Sequence, residues 1–231
     1  MASNAAGRTA CLVAGALILL GVAGCATWRT PVNPALSAAA RRDGPIAVYD
    51  ALEALIEAGH DTPADREFAY EAVRRNREDS AAAAFGRAAI TGRLVQQRAL
   101  RGAHLVTEVE REAERSRQLD PDFRGGAATR LLGTLYVAAP APFLAHGDSE
   151  QGLALLEALA AERPENLENH LRLAEAYLAL GDPAPAAAPL CRCRGAREML
   201  RRDERLLLDR LVEQAAPLDC GAQLDVAAPG E

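Results

Sequence analysis

The chain has 231 residues, a formal charge of −6, 49% hydrophobic residues and only 4% aromatic ones. That length suits one domain with appendages, and the acidic balance argues against a nucleic-acid-binding surface. All 26 basic residues are arginine, which excludes chemistry built on a lysine amine, such as Schiff-base or phosphate-loop catalysis. The apolar content is mostly Ala and Leu, with few β-branched residues, so the expected class is all-α with closely packed helices.

The first 24 residues read as a signal peptide. Arg8 and the amino group supply positive charge, and an apolar run spans 10–23. That run is short for a transmembrane helix. It ends in Val22-Ala23-Gly24-Cys25, which resembles the lipobox of bacterial lipoproteins. Small residues before the cysteine let a peptidase close on the backbone, and the Cys25 thiol then takes a diacylglycerol group. The alternative is an ordinary secretory signal with an accidental cysteine. Ala26 rather than aspartate follows, which in a Gram-negative cell favours the periplasmic side of the outer membrane. Residues 25–43, with Pro31 and Pro34, are expected to be a lipidated tether, with Trp28 as a loop or membrane-interface aromatic.

A helical-repeat domain is expected over 44–216. Ile46, Tyr49, Leu52, Leu55 and Ile56 recur at spacings of three and four, which marks one buried helix face. The run Gly59 to Pro63 ends that helix and starts a second, over 64–75. Further helices are expected over 81–100, capped by Ser80, and over 103–119, 127–138, 149–162 and 167–180. An eighth begins near 184 and is expected to start late or kink at Pro189, which has no amide donor. A ninth, over 198–215, caps the stack, and 217–231 reads as a flexible tail.

One pattern occurs twice between 130 and 190. Leu132-Gly133, Tyr136, Gly147-Asp148, Gly152 and Leu156 are echoed by Leu173-Ala174, Tyr177, Gly181-Asp182, Ala186 and Leu190. The pattern resembles the tetratricopeptide helix-turn-helix repeat. Such hairpins each leave an apolar face that the next one covers, which predicts an α-solenoid of about nine helices with a concave groove. The first copy carries seven extra residues between Tyr136 and Gly152. The segment that contains this insert, RLLGTLYVAAPAPFLAH followed by Gly147-Asp148 and then PENLENHLRLAEAY, resembles the TatT family. These are periplasmic lipoprotein components associated with tripartite ATP-independent periplasmic (TRAP) transporters. The resemblance rests on Leu132, Gly133, Leu135, Tyr136, Ala139, Pro140, Pro142, Gly147, Asp148, Pro164, Glu168, Asn169, Leu173, Ala174, Glu175 and Ala176. It covers about sixty residues, and 43–120 match poorly. It implies a non-catalytic accessory protein that binds a periplasmic solute-binding protein, its ligand, or both. It also implies a homo-trimer and a cavity or pore that takes small apolar or carboxylate ligands. The alternative function is a repeat scaffold for envelope assembly, without ligand.

No catalytic constellation, metal set or cofactor motif stands out. The serines lie in no nucleophile elbow, and His60, His104, His146 and His170 are dispersed. The acidic run Glu108, Glu110, Glu112 and Glu114 is expected to be a solvated helix face. Cys191, Cys193 and Cys220 are too few for a zinc site. In an oxidising compartment a bridge tying Cys220 to Cys191 is one expectation, and three unbridged thiols the other. Peptide-docking repeats place Asn and Lys one residue after the small position, where this chain has Thr134 and Glu175; Glu175 would repel a carboxylate, which disfavours that mode. The groove is expected to be lined by Arg130, Tyr136, Pro140, Phe143, Asn169, Arg172 and Tyr177, although repeat core is the commoner role for both tyrosines.

Overall fold

The computed structural model describes residues 31–42 and 44–221. The expected signal peptide, Cys25 and Trp28 lie outside the described residues, as do 222–231. Among the described residues there are ten α-helices and no strand: α1 (Pro34–Arg42), α2 (Pro45–Ala58), α3 (Pro63–Val73), α4 (Ala81–Arg98), α5 (Val106–Leu119), α6 (Ala127–Ala138), α7 (Ser149–Glu162), α8 (Leu167–Ala179), α9 (Pro183–Gly195) and α10 (Arg202–Gln214). No helix among these residues is long and apolar enough to cross a membrane.

Local chemistry sets the helix starts. Ser80, Asp148 and Asn166 each accept a hydrogen bond from an amide in the first turn of α4, α7 and α8, which satisfies donors that have no partner inside a helix. Thr62 and Asp65 cap α3 reciprocally, at 3.2 and 3.0 Å.

The helical body begins earlier than the sequence suggests. The expected tether at 25–43 contains α1, whose Leu36 is completely buried against α2 and α3. Asp65, already part of the α3 cap, also accepts the Asn33 amide at 2.7 Å and so pins the start of α1. Helix α9 begins at Pro183 rather than late. Pro183 and Pro185 fall in its first turn, where amide donors are not used. Pro189 is absorbed inside the helix. At the other end, α10 starts at Arg202, because the Glu204 carboxylate accepts the Arg201 amide at 2.8 Å and fixes the helix start there.

The helices pair as α2/α3, α4/α5, α6/α7 and α8/α9, with α10 covering the last pair. Helices α2, α4, α6, α8 and α10 form the inner layer. The array curls far enough for α10 to pack on α2, so its two ends meet. Core clusters follow the same order. One joins Leu36, Leu52, Val73, Ile90 and Leu94, and another joins Leu171, Leu190, Cys193, Leu208 and Leu211. Each such leucine stabilises the fold by about 1.5–3 kcal/mol. Cys191 is bonded to Cys220, and Leu218 packs on the last cluster, so the chain is held to α9 as far as 220. The bridge closes a separation of 29 residues, a constraint on the unfolded chain of roughly 3–4 kcal/mol. Cys193 is buried, and that burial pushes its thiol up to about 12.

Helices α6 and α7 cross with backbone nearly touching backbone. A Cβ at Gly152 would lie 2.8 Å from the Gly133 carbonyl oxygen and 2.8 Å from Tyr136 Cβ. The two positions must therefore stay small. Gly152→Val is expected to lower stability by about 1–3 kcal/mol, read by thermal or urea unfolding.

Candidate functional site

Two features of the α6–α8 region have the character of a site: a cavity on the concave face and the insert on the opposite side of α6.

The cavity holds about 110 Å³ and is open on one side. Its charged wall carries Arg93 of α4, Arg130 of α6, Arg172 of α8, Arg201 before α10, and Glu168. Its apolar wall carries Tyr49, Phe85, Ala89 and Leu131. The arginines sit in a network that also closes the array. Arg93 grips Glu53 through two hydrogen bonds of 2.8 and 2.7 Å and reaches Asp203 at 3.0 Å. Arg201 donates to the same Glu53 at 2.6 Å and to Glu204 at 3.1 and 3.0 Å. Arg130 pairs with Glu168 at 2.8 Å and donates to Asn169 at 2.8 Å. Burial works against the charges of Arg93 and Arg201, but acidic neighbours, chiefly Glu53 for Arg93 and Glu204 for Arg201, raise both above the ordinary arginine value. Burial likewise opposes ionisation of Asp203 and Glu168. The facing arginines overrule it and hold both carboxyls below their usual range.

The insert is held as a rigid projection. A short 3-10 turn at Ala141–Phe143 carries it away from α6. Glu110 of α5, with no exposed surface, accepts the amides of Ala145, His146 and Gly147 at 2.6, 2.8 and 3.2 Å. The Thr107 hydroxyl donates to the Phe143 carbonyl at 3.0 Å. Gly147 lies flat on the Tyr136 ring, where any Cβ would stand 2.2 Å from a ring carbon. Tyr136 is thus the floor under the insert. Burial first, then Glu114 and Glu110, push its phenol above the usual value. Above this floor, Phe143 is 37% exposed, beside exposed Pro140 and Pro142.

The seven residues expected to line one groove therefore separate. Arg130 and Arg172 line the concave cavity. Asn169 is fully buried and braces Arg130 from behind, donating to the Leu159 carbonyl at 3.4 Å. Tyr136 is core. Pro140 and Phe143 stand on the insert. Tyr177 points to the other side of α8, where its hydroxyl donates to Glu157 at 2.7 Å. The physical reason is helical: Arg130 and Tyr136 are six positions apart, well over one and a half turns, so they leave α6 on different faces. Arg93 and Arg201 were missed because no local pattern marks them. The acidic run on α5 is also not a solvated face. Glu108 accepts the Tyr70 hydroxyl at 3.1 Å, Glu112 pairs with Arg87 at 2.7 Å and Glu114 accepts the Tyr136 hydroxyl at 3.2 Å. Partners from α3, α4, α6 and the insert surround the helix. Among the described residues no group of three or more His, Cys, Asp or Glu side chains converges as a metal site.

The tetratricopeptide repeat family matches residues 143–190, from the insert through α7 and α8 to Leu190 in α9. No curated protein matches the chain. This match fits the all-α helical-hairpin array, a helical-repeat fold, and tetratricopeptide repeats generally mediate protein–protein interaction.

Two outcomes test this geometry. Glu110→Ala leaves three amides without their acceptor. It is expected to cost about 3 kcal/mol and to speed hydrogen exchange at 145–147. The second concerns acid. Asp203 and Glu168 titrate lower folded than unfolded, so their contribution is complete above the unfolded values near pH 4 and is lost as pH falls through the folded ones. The melting temperature is expected to be level from neutral pH down to about 5 and to drop below about 4. Asp203→Asn should flatten that drop.

Proposed function

We propose that the chain is a non-enzymatic, lipid-anchored adaptor on the periplasmic side of the outer membrane. It serves a TRAP-type uptake system by docking the solute-binding protein on its insert, and it assembles as a homo-trimer. The observation that carries this reading is the preorganised projection of Phe143, Pro140 and Pro142, clamped through Glu110 and Thr107. An exposed aromatic on a loop already fixed in place loses little entropy on binding, which is how a small patch becomes an energetic anchor. Its position within the segment that resembles the TatT family supplies the partner. The Val22-Ala23-Gly24-Cys25 sequence supplies the anchor, through acyl chains on Cys25.

The test is a pull-down from envelope extracts with the full chain, Cys25→Ser and Phe143→Ala. The solute-binding protein should be recovered by the full chain. Phe143→Ala should weaken capture by about tenfold or more. Cys25→Ser should leave the protein in the soluble fraction while it still binds the partner. Failure to recover any solute-binding protein would sink the transport reading and leave the scaffold architecture untouched.

A further inference from the structure

Leu100 is the most exposed large apolar side chain among the described residues, at 87%. It lies in the short 3-10 segment Ala99–Leu105, between α4 and α5. That segment is well packed past its first residues. Leu105 is buried in the first core cluster, and Gly102 lies so close to α4 that a Cβ there would stand 3.0 Å from the Val95 Cα. At its start, Ala99 leaves α4 with φ 49° and ψ −129°, a strained conformation for a residue with a side chain. A strained turn on one side and a packed segment on the other thus hold Leu100 out in water, where it adds nothing to the core.

The chain that leads back to Cys25 leaves the fold at the same end. The Asn33 amide is held by Asp65 in the first turn of α3, and the Gln97 side chain of α4 donates to the Pro63 carbonyl of that turn at 3.5 Å. Val32 and Val95 pack on the same core cluster. Pro31 follows Cys25 by six positions, and six residues reach about 20 Å at most. Acyl chains on Cys25 would therefore keep this end of the array close to the lipid surface. The charges here suit an anionic surface. Arg101 is exposed and makes no ion pair among the described residues. The carboxylates of the α2–α3 turn and the start of α3 are already engaged: Asp61 pairs with Arg66, Glu67 pairs with Arg98, and Asp65 caps α3.

We propose that Leu100 enters the lipid surface on which the chain is anchored, with Arg101 at anionic headgroups, and that this second contact fixes the orientation of the array on the membrane. The proposal rests on the acylation of Cys25 and not on docking at Phe143. One leucine beside one arginine binds a bilayer too weakly to hold a protein from solution. On a tethered chain the same contact is made at high effective concentration, so a weak contact is enough to select one orientation.

The experiment attaches an environment-sensitive nitrobenzoxadiazole label to Leu100→Cys in the purified mature, acylated chain, whose own cysteines are acylated, bridged or buried. Leu119→Cys, exposed at the far end of α5, is the control. Both are reconstituted with vesicles of phosphatidylethanolamine and phosphatidylglycerol, and flotation is measured alongside. Both chains should float. The label at 100 should shift to the blue and be quenched by nitroxide-bearing lipids, and the label at 119 should keep its emission in water. A label on Arg101→Cys should also respond to vesicles, and adding Leu100→Asp should abolish that response, which separates the leucine from the label as the inserting group. A label at 100 that stays in water on a chain that floats, equal shifts at 100 and 119, or a response at 101 that survives Leu100→Asp would each overturn the proposal alone. A chain that does not float would overturn the Cys25 anchor and this contact with it. A blue shift at 100 that needs no vesicles and grows with protein concentration would assign Leu100 to a second copy of the chain and overturn the membrane contact. None of these outcomes bears on docking at Phe143, which the envelope pull-down measures separately.

Discussion

Glu53 holds the two ends of the array together. It is the meeting point of Arg93, from the second hairpin, and Arg201, from the start of the last helix. Around it Asp203, Glu168 and Glu204 complete a group in which each buried charge has an opposite neighbour. An isolated charge at such a position would be strongly destabilising, whereas a fully paired group fixes one arrangement of the helices around it. Matched charges therefore run through the contact of α10 with α2. The cavity is the space left inside that closure, and its arginine lining follows from the same network.

The insert obeys a different constraint. A loop that leaves a helix with two prolines and a phenylalanine would be expected to move. Here the backbone amides that it exposes converge on one buried carboxylate, Glu110, and its turn rests on the Tyr136 ring. The seven residues that lengthen the first repeat are thereby part of the folded structure. Conformational order and an exposed apolar tip coexist in one short segment, a combination suited to recognition.

Where a helix declares itself by local pattern, the sequence was a good guide. The spans 127–138 and 149–162 match α6 and α7 residue for residue, because glycine and aspartate mark their starts and the apolar period is unbroken. Structure that depends on distant partners was hidden. Pro31 and Pro34 made 25–43 look like a tether, and only the contacts of Leu36 and Asp65 turn part of it into α1. Four carboxylates within seven residues of α5 suggested a solvated face, yet at every second position they fall on two opposite sides of the helix. Arg87, Tyr70, Tyr136 and three insert amides, all supplied by tertiary packing, reverse that reading. The cavity was half legible, through Arg130 and Arg172 on adjacent repeats. Arg93 and Arg201 belong to elements far apart in sequence, and only the curvature of the whole array joins them.

That curvature has a kinetic consequence. In an open repeat array each unit touches only its sequence neighbours, so structure can start anywhere and spread, and the ends fray first. Here the first and last units shelter each other, through a contact between residues 148 positions apart. Such a contact carries a loop-closure cost that local hairpins avoid, so it is the one that the folding chain completes last. Once made, it ties α10 to α2, so neither helix can fray without parting Glu53 from Arg201. The array thus trades the graded fraying of a linear solenoid for a single gate.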